Sequence, residues 1–177
     1  RAPKHKELAT EFLAYLQDKL QQDENAMPGI YQDADLNLQA HAAEISSSMI
    51  NKVANTLNQI QWSEDMVADF LGRYLSEPKP DVLFEPNRKV SLAQFHKKIL
   101  QHGIMLDLKS QMLFCAETFY LNGEAFIAKA PQVALMQQLA DTRKINGPCI
   151  ADAVNESLLT HLHGWYLSGY IQIGSDG

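Results

Sequence analysis

The stretch Phe119-Tyr120-Leu121-Asn122-Gly123-Glu124-Ala125-Phe126-Ile127 decides the fold class. Asn-Gly between two apolar runs is the strongest short hairpin signal, because both central residues of a tight hairpin turn need positive φ. Two more apolar runs precede it, Ile104-Met105-Leu106 and Met112-Leu113-Phe114-Cys115, and both suit short strands. Upstream, Ser91-Leu92-Ala93-Gln94 spells a capping box, with Val90 and Phe95 as the hydrophobic staple beside it. The helix it opens is expected to stop at Gly103, a usual residue just past a helix C-terminus. Downstream, Pro131 suits the first position of a helix carrying Val133, Leu135, Met136 and Leu139. A last helix carries Leu158, Leu159, Leu162 and Trp165 and should end near Gly169, leaving Tyr170-Ile171-Gln172-Ile173 as a closing strand. Helix, hairpin, two helices and a final strand make a winged-helix-like α+β unit.

Ahead of this unit the pattern is helical throughout. Leu8, Phe12, Leu13, Leu16 and Leu20 form one amphipathic stripe that should end before Met27-Pro28-Gly29. A polar loop through Gln32-Asp33-Ala34-Asp35 leads to a second stripe, Ile45, Met49, Val53, Leu57 and Ile60. A third helix opens at Ser63, an N-cap, with Trp62 placed to staple onto Val67; its face is Val67, Phe70, Leu71, Tyr74 and Leu75. Glu77-Pro78-Lys79-Pro80 then forms an elbow, since two prolines restrict φ and bias their predecessors away from helix. The expected chain is α+β and mostly α, with a helical domain over 1–77, a linker over 78–84 and a winged-helix-like domain over 85–177. A three-helix segment of about 70 residues does not easily build a self-sufficient core. It should pack on something else, either a further part of its own chain or a second copy, and Ile45, Met49, Val53, Leu57 and Ile60 are the candidate face of an isologous homodimer. The gentler expectation is that the stripes merely pack on each other.

Composition limits the functions available. The 177 residues are 46% apolar and 20% charged, an ordinary globular balance. No run approaches the roughly 18 consecutive apolar residues of a membrane span, so no membrane partner is expected. The formal net charge is −6, and it is unevenly spread: −5 over residues 1–76, +2 over 77–110 and −3 over 111–177. After Lys144 there is neither Lys nor Arg, and Glu117 and Glu124 border the hairpin that would be the wing. Groove reading needs basic side chains on phosphates, so no nucleic-acid partner is expected. The basic enrichment at Arg88, Lys89, Lys97 and Lys98 reads as a solvated face. Cys115 and Cys149, 34 positions apart, form neither a disulfide framework nor a zinc knuckle, and a reducing, cytoplasmic setting fits.

Candidate catalytic and metal residues fail on geometry. His5-Lys6-Glu7 spells half of a two-His-one-carboxylate iron site. Residues i and i+2 share a face on a strand but stand about 200° apart on the helix this pair opens. His161-Leu162-His163 meets the same objection, and His41 with Glu44 has no third ligand. His96 and His102 read as surface or interface residues. Ser46-Ser47-Ser48 reads as a polar helix flank, Cys115 as a buried strand residue and Cys149 as an exposed thiol without a base. There is no Gly-x-Ser-x-Gly elbow and no phosphate-cradling glycine loop. No catalytic, cofactor-binding or metal residue is assigned, and the chain alone is not expected to be an enzyme.

Four stretches resemble one known family. Arg1-Ala2-Pro3 followed by Glu7-Leu8 resembles the junction after the last cupin strand in bacterial JmjC-type ribosomal oxygenases. Phe70-Leu71-Gly72-Arg73-Tyr74-Leu75-Ser76-Glu77-Pro78-Lys79 looks like the segment before that family's C-terminal unit. Phe119-Tyr120-Leu121-Asn122-Gly123-Glu124 is similar to its hairpin, and Leu167-Ser168-Gly169-Tyr170 to its closing turn. These are the cupin-4 proteins that hydroxylate an arginine of a large-subunit ribosomal protein. The resemblance implies an N-terminal cupin, absent from these residues, that binds iron(II) and 2-oxoglutarate. It further implies a helical dimerisation segment, a C-terminal winged-helix-like domain and a ribosomal protein as substrate. None of the cupin's ligands can be placed on this chain. The segment from Asp23 to Gln39 departs from the family's pattern.

Overall fold

The computed structural model describes residues 3–24, 26–30, 32, 41 and 43–174. The polar stretch 33–35, the Arg1-Ala2 start and the tail after Gly174 therefore lie outside the described residues. The chain divides into two compact units, Arg1–Val67 and Ala68–Gly177. The division falls within a helix, ten residues before the proline elbow, because that helix's second half is bonded to the hairpin. The expected α+β, mainly helical class is what the backbone forms.

In the first unit α1 spans His5–Gln22 and α2 spans Ser47–Leu57, while α3, Glu64–Ser76, begins there and runs into the second unit. The Glu7 carboxylate accepts a hydrogen bond from the Lys4 backbone N–H at 3.3 Å, which closes the start of α1. The Ser63 hydroxyl accepts from the Met66 N–H at 3.2 Å, so Ser63 caps α3 as its sequence position predicts. Trp62 packs edge-on against Phe12, with ring centroids 5.7 Å apart.

Two expectations change at α2. Ser46, read as a polar flank, is its N-cap: the hydroxyl accepts from the Met49 N–H at 3.2 Å while the residue itself stays extended. Ile45 therefore precedes the helix. At the other end the Asn58 N–H bonds the Ala54 carbonyl at 2.9 Å and closes the last turn, which puts Ile60 beyond the helix.

The second unit continues with α4 (Leu92–His102), β1 (Ile104–Leu106), β2 (Met112–Cys115), β3 (Thr118–Leu121) and β4 (Glu124–Ile127). It ends with α5 (Gln132–Thr142), β5 (Lys144–Ile145), α6 (Gly147–Ala153), α7 (Glu156–Leu167) and β6 (Ile171–Ile173). Two antiparallel three-stranded sheets result, ordered β5-β1-β6 and β2-β3-β4. Ile104 sits opposite both Ile145 and Ile173, and Leu121 pairs with Glu124 across the Asn122-Gly123 turn. That turn has φ of +52° and +88°, as an Asn-Gly hairpin demands.

Both capping-box bonds of α4 form at 3.2 Å, between Ser91 and Gln94. Gly103 ends the helix at φ +73°, with the Ile145 carbonyl so close that a side chain would collide with it. Between the caps, α4 turns Phe95 and Ile99 fully inward onto Met136 and Leu139 of α5, Ile150 of α6, Leu158 and Leu162 of α7, and Ile104 and Ile171 of the sheet. Burying each such side chain contributes about 1.5–3 kcal/mol, and that sum holds seven short elements together.

Candidate functional site

The described residues divide into one saturated interior and one unsatisfied surface. In the first unit Leu16 is the only buried apolar side chain among the described residues. No residue of α2 is buried. Ile45, Val53 and Leu57 are 70%, 44% and 56% exposed, while Met49 and Ile60 are half-buried. Ile50, 56% exposed and one helical turn from Val53, extends the same face and was not picked out by the sequence pattern. The spacing Ile50, Val53, Leu57 was there to be read, but the stripe through Met49 absorbed it.

Two apolar concavities border this face. Leu57 and Ile60 line one of about 650 Å³ together with Leu13, Leu16 and Leu20 of α1 and Trp62. Val53 and Leu57 line another of about 430 Å³ with Met27, Pro28 and Ile30. Leaving such side chains in water forfeits the stabilisation that burial would supply.

In the second unit the hairpin turn is an anchor as well as a reversal. The Asn122 side-chain oxygen accepts from the Gln111 N–H at 2.9 Å, and its amide donates to the Ser110 hydroxyl at 3.1 Å. Ser110 in turn donates to the Tyr170 carbonyl at 2.8 Å, next to β6. The Gly123 N–H donates to the buried Ser76 hydroxyl at 3.0 Å, and Arg73 reaches the Gly123 carbonyl at 3.4 Å while bracing on Asp69 at 3.0 Å. The turn thus holds the end of α3 and the start of β6 in one polar network, which a turn signal alone does not announce. Tyr120 is buried beside it, and burial, then the Asp69 charge, pushes its phenol above the usual value.

The histidines are used structurally. His163 Nε2 lies 2.9 Å from the Val90 carbonyl, and a carbonyl only accepts, so that nitrogen carries a proton. Its ring packs on Phe95 at 5.2 Å. His161 bonds the Ser157 carbonyl at 2.9 Å and packs on Phe126 at 4.7 Å. The two rings are committed to different neighbours. His5 and Glu7 lie in the first turn of α1, where Glu7 caps the helix. Among the described residues no three His, Cys, Asp or Glu side chains gather where a metal ion could sit. An iron centre does not fit these side chains. Cys115, expected to be buried, is exposed: it ends β2 just before a turn at Ala116, φ +51°, and the strand has run past the core there. Cys149 is also exposed.

Helix α4, the helices α6 and α7 that both pack on it, the sheet β5-β1-β6 and the hairpin sheet β2-β3-β4 define a winged-helix domain. Residues 57–172 match the ROXA-like winged helix family, and the chain belongs to it. No curated protein sequence matches the chain significantly. Among solved structures it is similar to Escherichia coli YcfD, described as a ribosomal oxygenase, at 20% identity and a TM-score of 0.71 over 99% of this chain and 48% of that one. A second structure of E. coli YcfD gives the same identity and TM-score over 97% and 45%. The complex of that protein with cobalt and 2-oxoglutarate gives 20% identity and a TM-score of 0.67 over 97% and 46%. At this identity the likeness shows the fold. The chain spans about half the length of these structures.

Proposed function

We propose that these residues are the non-catalytic C-terminal part of an iron(II)- and 2-oxoglutarate-dependent JmjC-type hydroxylase acting on a ribosomal protein. The observation that carries the proposal is the ROXA-like winged-helix match over residues 57–172, which belongs to a module related to ribosomal oxygenases. An N-terminal cupin would hold the iron and 2-oxoglutarate and supply the oxidising chemistry. This chain's residues would provide two other things. The α2 face with its flanking concavities would join two copies, and the winged-helix unit, rigid from its interior outward, would frame the cupin or the substrate. A cytoplasmic setting belongs to the same proposal. α7, which holds no Lys or Arg, has no part in reading a DNA groove.

The test starts with the native gene product, captured from its own cells and weighed intact. A product heavier by a cupin of at least about 100–200 residues supports the proposal. Iron- and 2-oxoglutarate-dependent addition of one oxygen to a ribosomal protein by that product then completes it. A native product of 177 residues would sink the hydroxylase assignment and leave a free-standing dimeric adaptor.

A further inference from the structure

The hairpin sheet β2-β3-β4 has one edge, β4, whose main chain is left partly unused; the opposite edge, β2, lies against α5. The Ala128 N–H donates to the Glu117 carbonyl at 2.9 Å, and this fixes which groups of β4 face β3. Bonded pairs alternate along an antiparallel ladder, so Ala128, Phe126 and Glu124 are the residues bonded across to β3. The N–H and C=O groups of Gly123, Ala125, Ile127 and Lys129 point the other way, off the sheet. The chain closes both ends of this row itself. The Gly123 N–H donates to Ser76 at 3.0 Å and its carbonyl accepts from Arg73 at 3.4 Å. The Lys129 N–H donates to the Gln132 side-chain oxygen at 3.4 Å. Between these ends the main-chain groups of Ala125 and Ile127 have no partner among the described residues. Two donors and two acceptors thus stand open on a strand held in place by Phe126, which packs on His161 and Trp165. No lysine or proline blunts the edge from Glu124 to Ile127. Ile127 is instead 66% exposed, on the sheet face opposite to the buried Phe126. Glu124, exposed at the turn end, has no ion-pair partner among the described residues.

We propose that β4 takes an extended segment of another protein as an added antiparallel strand, bonded to the main chain of Ala125 and Ile127. Open N–H and C=O groups accept any strand, so the side chains beside them set the choice. The incoming residue opposite Ile127 lies on the same face as Ile127 and should be apolar, to cover it. The residue opposite Glu124 comes three positions later in an antiparallel strand. It lies on the face of Glu124 and should be Lys or Arg, to pair with the carboxylate. The pattern recognised is therefore apolar-x-x-basic. A second copy of the chain fits this edge poorly. Pairing β4 with another β4 through both open residues sets Ala125 opposite Ile127 and Ala128 opposite Glu124. That register supplies neither an apolar cover nor a positive charge. The proposal does not depend on the hydroxylase assignment.

The test titrates the whole chain, isotope-labelled for amide spectra, with the end-blocked octapeptide Thr-Ser-Leu-Thr-Ser-Lys-Thr-Ser. At saturation the Ala125 and Ile127 amides should shift and gain protection from solvent exchange. Those of Glu124 and Phe126, already bonded to β3, should change less. N-methylating the peptide's Leu and the Ser two places after it removes the donors that face β4, and should weaken binding at least about tenfold. N-methylating the Thr between them, whose N–H points away, should change binding by less than about threefold. Glu124→Lys should weaken binding by up to about fivefold, as an exposed ion pair contributes little, and a peptide with Glu in place of Lys should regain it. Glu124 is exposed, so this variant should melt as the parent does. No saturable binding at millimolar peptide, shifts confined to other residues, or equal binding of the doubly N-methylated peptide overturns the proposal. So does broadening of the Ala125 and Ile127 amides with protein concentration alone, which would assign the edge to a second copy.

Discussion

The two units solve the burial problem in opposite ways. Unit two closes a core from α4, α5, α6, α7 and the β5-β1-β6 sheet, with Phe95, Ile99, Met136, Leu139, Leu158 and Leu162 out of solvent. Unit one has comparable apolar stripes but buries only Leu16 among its described residues. The difference does not lie in hydrophobicity alone. Unit two has non-local partners for each helix: a sheet to lie on and loops short enough to fold elements back. A helix such as α2 buries at most one face, and the described residues of its own unit form no sheet for that face to lie on. The contrast teaches that unit two carries its stability in its own interior, while the described residues of unit one leave an apolar face exposed.

Four outcomes would break or sharpen that contrast. Phe95→Ala should cost about 3–5 kcal/mol in urea unfolding, the range for emptying an aromatic core site. A loss below about 1 kcal/mol would mean the core is not centred on α4. Met49→Asp with Val53→Asp should convert dimers into monomers by light scattering while leaving the near-ultraviolet signature of unit two intact. An unchanged mass would remove α2 as the contact face and return its stripe to intrachain packing.

Ser91→Ala should cost about 1 kcal/mol, since one capping-box bond disappears while the helix keeps its buried face. A neutral result would show that packing alone sets the start of α4. The smallest effect is a pH dependence. Tyr120 holds its proton more tightly folded than unfolded, because burial raises its phenol above the ordinary value. As pH rises past about 10, the unfolded chain ionises first, so stability present below that pH is progressively lost above it. Tyr120→Phe should flatten this alkaline slope; a slope unaltered by the change would assign it to other groups.

Much of this was legible locally. Ser91 and Gln94 announce the start of α4, Gly103 its end, Asn122-Gly123 the hairpin and Ile171 to Ile173 the last strand, because caps and tight turns depend on a few neighbouring residues. Short elements were not legible. β5 has two residues and α6 seven, too few for a hydrophobic period, although Asn146 followed by Pro148 is an N-terminal helix signal that points to α6. Cys115 was misplaced for a related reason: strand alternation says which side a residue faces, not whether the core extends that far.

The sequence by itself determined the α+β class, the stripes of α1, α2 and α3, the caps and the hairpin, all set by interactions within a few residues. Only the tertiary structure decided which stripes find partners. It buried Phe95 and left Val53 in solvent, bolted Asn122 and Gly123 to Ser110 and Ser76, and gathered Arg88, Lys89, Lys97 and Lys98 into one hollow. The physical reason is that burial and electrostatic contact depend on distances in space between residues remote in sequence, which no local pattern encodes.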